Sequence, residues 1–129
     1  MLICLPKLND FDEYLDLYYL VEELLENKAL DSHIQLASFH PNYRFQGVAL
    51  HIHIHIHIHI VYKIIFFMPQ GTEENAIENW TNRSPYPMIH LLRVEEVSAA
   101  LSTYRRNPDD IWKDNVNKMK DLEKMKIIP

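Results

Sequence analysis

Two short polar stretches carry the residue types that do chemistry at neutral pH. One is His40-Pro41-Asn42-Tyr43-Arg44-Phe45. The other is Asn79-Trp80-Thr81-Asn82-Arg83-Ser84-Pro85-Tyr86-Pro87, followed by His90-Leu91-Leu92-Arg93. An imidazole titrates near neutrality, so His40 or His90 can act as a general acid or base. The guanidinium of Arg83 offers a planar fork of donors suited to phosphate or carboxylate. Ser84-Pro85 reads as a helix entrance, whose free N–H groups and dipole favour an anion. Asn79 and Asn82 can orient a substrate or a histidine. The chemistry expected is a small-molecule transformation on an anionic substrate. His40 would carry the proton and Arg83 would anchor the substrate, with Tyr43, Asn79, Asn82, Ser84 and His90 as substrate-binding residues. A non-catalytic binding or scaffold module, in which the same residues brace loops, is the alternative.

A second feature is a ladder in which His51, His53, His55, His57 and His59 alternate with isoleucines. In a strand the five imidazoles would share one face. Two of them, in a His-x-His pair, can supply two nitrogens to zinc, but a straight strand cannot wrap the ladder around one ion. Metal binding in vitro is expected, and a native metal site is not. A perfect dipeptide repeat is explained by composition alone. The chain also reads Gln46-Gly47 before the segment and Gln70-Gly71 at its end, so removing residues 47–70 leaves a seamless Arg44-Phe45-Gln46-Gly71-Thr72. Residues 47–70 are therefore read as an intrusion resembling translated intron. Translated, the alternating isoleucines and the run Ile64-Ile65-Phe66-Phe67 form an aggregation-prone strand.

The elements that position these residues begin with a short apolar strand over residues 1–5, where Cys4 is expected to behave as a small buried hydrophobe. Asn9 or Asp10 caps a helix running to about Asn27, with Phe11, Tyr14, Leu15, Tyr18, Val21 and Leu25 on one stripe. Ile34–Phe39 is a second strand, giving a β-α-β start with a crossover long enough for parallel pairing. Met88–Tyr104 is predicted as a helix capped by Ser84, and a last helix starts at Asp109 or Asp110. The fold class is α+β, a small mixed sheet with two C-terminal helices. A sheet of two strands is too small to stand alone, so it is incomplete.

Composition narrows the function. The 129 residues fit one domain, 1–129, with 47% hydrophobic and 24% charged residues, so wholesale disorder is unexpected. A formal charge of −5 argues against broad attraction to nucleic acid or anionic membranes, and the region around Leu50–Met68 is too interrupted to span a bilayer. One cysteine allows no intrachain disulfide, and no signal peptide is expected, which together point to the cytoplasm. The residues specify no cofactor and no partner beyond a small anionic ligand.

The motif Ser38-Phe39-His40-Pro41-x-Tyr43-x-Phe45-x-Gly, followed by Asn79-x-Thr81-Asn82-Arg83-Ser84-Pro85-Tyr86-Pro87 and His90-Leu91-Leu92-Arg93, resembles domain of unknown function family 1415. The similarity extends from the first strand to about Met119, and joining Gln46 to Gly71 restores the family's spacing. Trp80 stands where the family usually has tyrosine, and Val94 where an acid is common. The resemblance also implies an N-terminal segment with a Cys-Pro-Phe motif that this chain lacks, so it looks like a truncated member.

Overall fold

The computed structural model describes residues 1–45 and 73–128, and the histidine ladder with residues 47–70 lies outside them. The described residues form two compact units. The first holds Met1–Tyr43 and Asn82–Arg105; the second holds residues 44–45, 73–81 and 106–128.

In the first unit, strand β1 (Leu2–Cys4) leads to helix α1 (Phe11–Asn27), then strand β2 (Ile34–Phe39). Strand β3 (Met88–Arg93) and helix α2 (Val94–Thr103) complete it. Asp10 caps α1 as its sequence predicts: its carboxylate accepts from the N–H groups of Asp12 and Glu13, both at 3.0 Å. The far end closes with Ala29 at φ 52°, where the Leu30 N–H reaches the Leu25 carbonyl at 2.8 Å and the Ala29 N–H reaches Glu26 at 2.9 Å. That left-handed closing position usually belongs to glycine.

The sheet order is β1-β3-β2, and both pairings are antiparallel. The fold is thus α+β with a small, open sheet, but two expectations change. β1 and β2 run the same way without pairing, because β3 lies between them. Met88–Arg93 is that strand and not the first turns of a helix. Its leucines and isoleucine fit helical spacing, yet Ile89 and Leu91 also fall at the two-residue period that puts both on the core face of a strand. Six registered pairs, from Ile34↔Arg93 to Phe39↔Met88, decide in favour of the strand. The helix begins only at Val94.

Phe11, Tyr14 and Ile89 form the buried centre, packed by Leu5, Leu8, Leu15, Tyr18, Leu36, Tyr43 and Leu91. Leu36, Ser38, Ile89 and Leu91 share the sheet face toward α1, while Ala37, His90, Leu2 and Cys4 share the other. Cys4 is exposed rather than buried, because a three-residue edge strand places it on the face away from Ile89.

The second unit pairs a 3-10 turn (Ile77–Thr81) with helix α3 (Asp109–Lys124). Phe45, Val116 and Asn79 are its buried residues.

Candidate functional site

Strand alternation sets the geometry around His40. The Leu91 N–H donates to the Met1 carbonyl at 2.8 Å, so the backbone of Leu91 faces β1 and that of His90 faces β2. Across the ladder, Ala37 and Phe39 therefore turn their backbone groups toward β3, and Ser38 and His40 turn theirs outward. On that outer edge Asn82 closes the strand. Its carbonyl accepts from the His40 N–H at 3.2 Å, and its side-chain amide donates to the Ser38 carbonyl at 3.0 Å. Arg83 follows, with Nε donating to the Tyr43 carbonyl at 3.4 Å. The structure thus brings His40, Tyr43, Asn82 and Arg83 together.

The His40 ring has no exposed surface. Its Nδ1 accepts from the Asn42 N–H at 3.0 Å, which places the ring proton on Nε2, and Nε2 lies 3.3 Å from the Leu8 carbonyl. Both nitrogens are engaged by main chain. The ring stacks at a tilt on Phe11 and Tyr14, with centroids 5.1 and 5.0 Å away. Burial pushes its pKa below the ordinary value, opposed by the Leu8 carbonyl and the Asp10 carboxylate. The imidazole is held neutral and in one tautomer.

The other sequence-predicted residues fall elsewhere. No helix begins at Ser84-Pro85, so the expected helix-entrance anion site is absent; the Ser84 hydroxyl instead donates to the Tyr86 carbonyl at 2.6 Å in an exposed turn. The reason is again β3, which starts at Met88, directly after Pro87, and takes the place of the helix. His90 lies in mid-strand, opposite Ala37 and Leu2, on the sheet face away from Ile89 and so away from the core where His40 sits. Asn79 belongs to the second unit, fully buried. Its Oδ1 accepts from the Phe45 N–H at 3.0 Å, and its amide donates to the Glu73 and Glu74 carbonyls at 2.9 and 3.1 Å. Two open clefts of the first unit, about 370 and 290 Å³, are lined by Ser32, His33 and Glu95 and by Met1, His90 and Glu96, with Arg93 and Ile34 in both. His40, Tyr43, Asn82 and Arg83 line neither.

Sequence reasoning read Tyr14 and Tyr18 only as apolar stripe residues. The Tyr14 hydroxyl accepts from the Phe39 N–H at 3.1 Å and donates to the Met88 carbonyl at 2.9 Å, stitching the last facing pair of β2 and β3. Burial raises its pKa to about 12. Burial also raises Tyr18, which bonds to the Leu36 carbonyl at 3.5 Å and to Glu22, and raises the Glu22 carboxyl in turn. A tyrosine in a helix stripe was the available signal, since a buried phenol needs a partner. Among the described residues, no group of three or more His, Cys, Asp or Glu is placed to hold a metal ion, and no helix is long and apolar enough to cross a membrane.

These features define an α+β fold with a small open sheet, in which the polar motif residues bond largely to main chain. The family model described as "Protein of unknown function (DUF1415)" matches residues 1–54 and 52–128. The chain belongs to that family. No curated protein and no solved structure matches it significantly.

Proposed function

We propose that the chain is a non-catalytic binding or scaffold module, in which the His40–Asn82–Arg83 cluster braces loops and performs no proton transfer. The carrying observation is His40 itself: a general base needs an available lone pair, and both ring nitrogens are already committed to backbone at 3.0 and 3.3 Å. Asn79, Asn82 and Ser84 make the same kind of side-chain-to-backbone bond.

Histidine-selective NMR tests the reading. In a module, His40 keeps the neutral Nε2–H form as the pH falls through the ordinary imidazole range, and added inorganic phosphate leaves its signals in place. An enzyme acting on an anionic substrate with Arg83 as anchor gives the opposite result: a His40 that titrates near neutrality and moves with phosphate, the movement lost in Arg83→Ala. That outcome overturns the module.

The ladder stands apart from this function as an intrusion. The two stretches of the family match meet at residues 52–54, within the ladder, which supports reading it as an interruption. The full transcript from the natural source tests this: retention of residues 47–70 in the major message refutes it. A cytoplasmic location fits a single cysteine and the absence of a membrane-spanning helix among the described residues. Microscopy of the tagged full chain tests it, and staining of any other compartment refutes it.

A further inference from the structure

Helix α1 carries two apolar stripes. Phe11, Tyr14, Leu15 and Tyr18 pack in the core with the sheet. Leu17, Leu20 and Leu24, spaced by three and four residues, line up on a separate face. Leu20 and Leu24 are 60% and 54% exposed. Acids border this second stripe. Asp16 and Glu23, four residues before and three after Leu20, are its helical neighbours, and Glu13 precedes Leu17 by one turn. All three are exposed, and like Glu26 they have no ion-pair partner among the described residues. Residues 7–31 hold eight acids against two bases.

We infer that this outer face of α1 docks a basic amphipathic helix of a partner protein. Leucines at three- and four-residue spacing are the anchors that one helix presents to another. The unpaired carboxylates beside them supply the complementary charge for lysines or arginines flanking the partner's own apolar stripe. The same carboxylates argue against other occupants. A second copy of α1 would bring like charge to like charge, and an anionic bilayer or a nucleic acid would be repelled. The inference rests on the binding-module reading and names the class of partner.

The test uses the full chain and a synthetic amphipathic peptide with leucines on one face and lysines flanking them. Binding is followed by fluorescence anisotropy at low and high salt. The peptide is expected to bind, more weakly at high salt. The Leu20→Ser/Leu24→Ser variant should bind it about tenfold less tightly or worse. The Asp16→Lys/Glu23→Lys variant should lose the lysine peptide and gain a glutamate version of it. Because these positions are exposed, circular dichroism should show both variants folded. Three results overturn the inference: no binding, equal binding by the charge-reversed variant, or self-association of the chain that Leu20→Ser/Leu24→Ser dissolves. If the peptide fails while His40 stays neutral and indifferent to phosphate, the helical partner falls and the module stands. A titrating, phosphate-responsive His40 removes the module itself.

Discussion

Replacing Tyr14 with phenylalanine isolates one hydroxyl in the centre of the first unit. The ring keeps its place against Phe11, at 6.2 Å, and His40, at 5.0 Å, so packing is nearly unchanged. What is lost is one bond accepted from Phe39 and one donated to Met88. A neutral buried hydrogen bond contributes on the order of 1 kcal/mol net, and a stranded backbone group costs about 1–3 kcal/mol. Phe39 and Met88 face each other, however, and can recover part of the loss by closing directly on one another. The balance is a destabilisation of about 2 kcal/mol, or a Tm lower by roughly 6–10 °C for a chain of this size. Urea unfolding, with the slope compared between variant and parent, measures it. A loss below about 0.5 kcal/mol would mean the hydroxyl does not join the two strands, and the account of the core would be wrong.

Other outcomes follow from neighbouring features. Ala29→Gly should stabilise the chain by about 1 kcal/mol in the same assay, because Ala29 closes α1 at φ 52° where glycine carries no steric cost. Asp10→Ala should cost about 1 kcal/mol through loss of the two cap bonds, and Asp10→Ser should recover most of it. His40 has a lowered pKa in the fold, so the unfolded chain binds its proton first; its contribution is complete above the unfolded value of about 6.5 and is lost as pH falls through the folded value. The acid limb of stability should therefore flatten in His40→Gln relative to the parent. Tyr14, Tyr18 and Tyr43 have raised values, so their contribution is present below about pH 10 and drains away as pH rises beyond it. Absorbance titration should show these phenols ionising together with unfolding.

The sequence announced much of the first unit. Asp10 as cap, the stripe from Phe11 to Leu25 and the strand Ile34–Phe39 are all local signals, each set by a few adjacent residues. The last helix was equally readable from its spacing. β3 was not, because Met-Ile-His-Leu-Leu-Arg satisfies both a helix period and the two-residue period of Ile89 and Leu91 in a strand, and only two partners distant in sequence decide between them. The candidate site divides in the same way. The motif placed His40, Asn82, Arg83 and Ser84 around one pocket; the first three lie close together, Ser84 bonds within an exposed turn, and residue types could not say that Leu8, thirty-two residues earlier, would hold the imidazole. A helix entrance at Ser84 depended on the misread element and fell with it.

Asn82 has an implication for assembly. Main-chain hydrogen bonding along an outer strand is what lets sheets recruit further strands from other molecules, and only residues facing outward can take part. At the Ser38–His40 end those positions are already filled, by one residue's carbonyl and side-chain amide together. A chain that tried to add itself there would first have to evict Asn82. At that end of β2, the two main-chain groups a further strand would need are therefore not on offer.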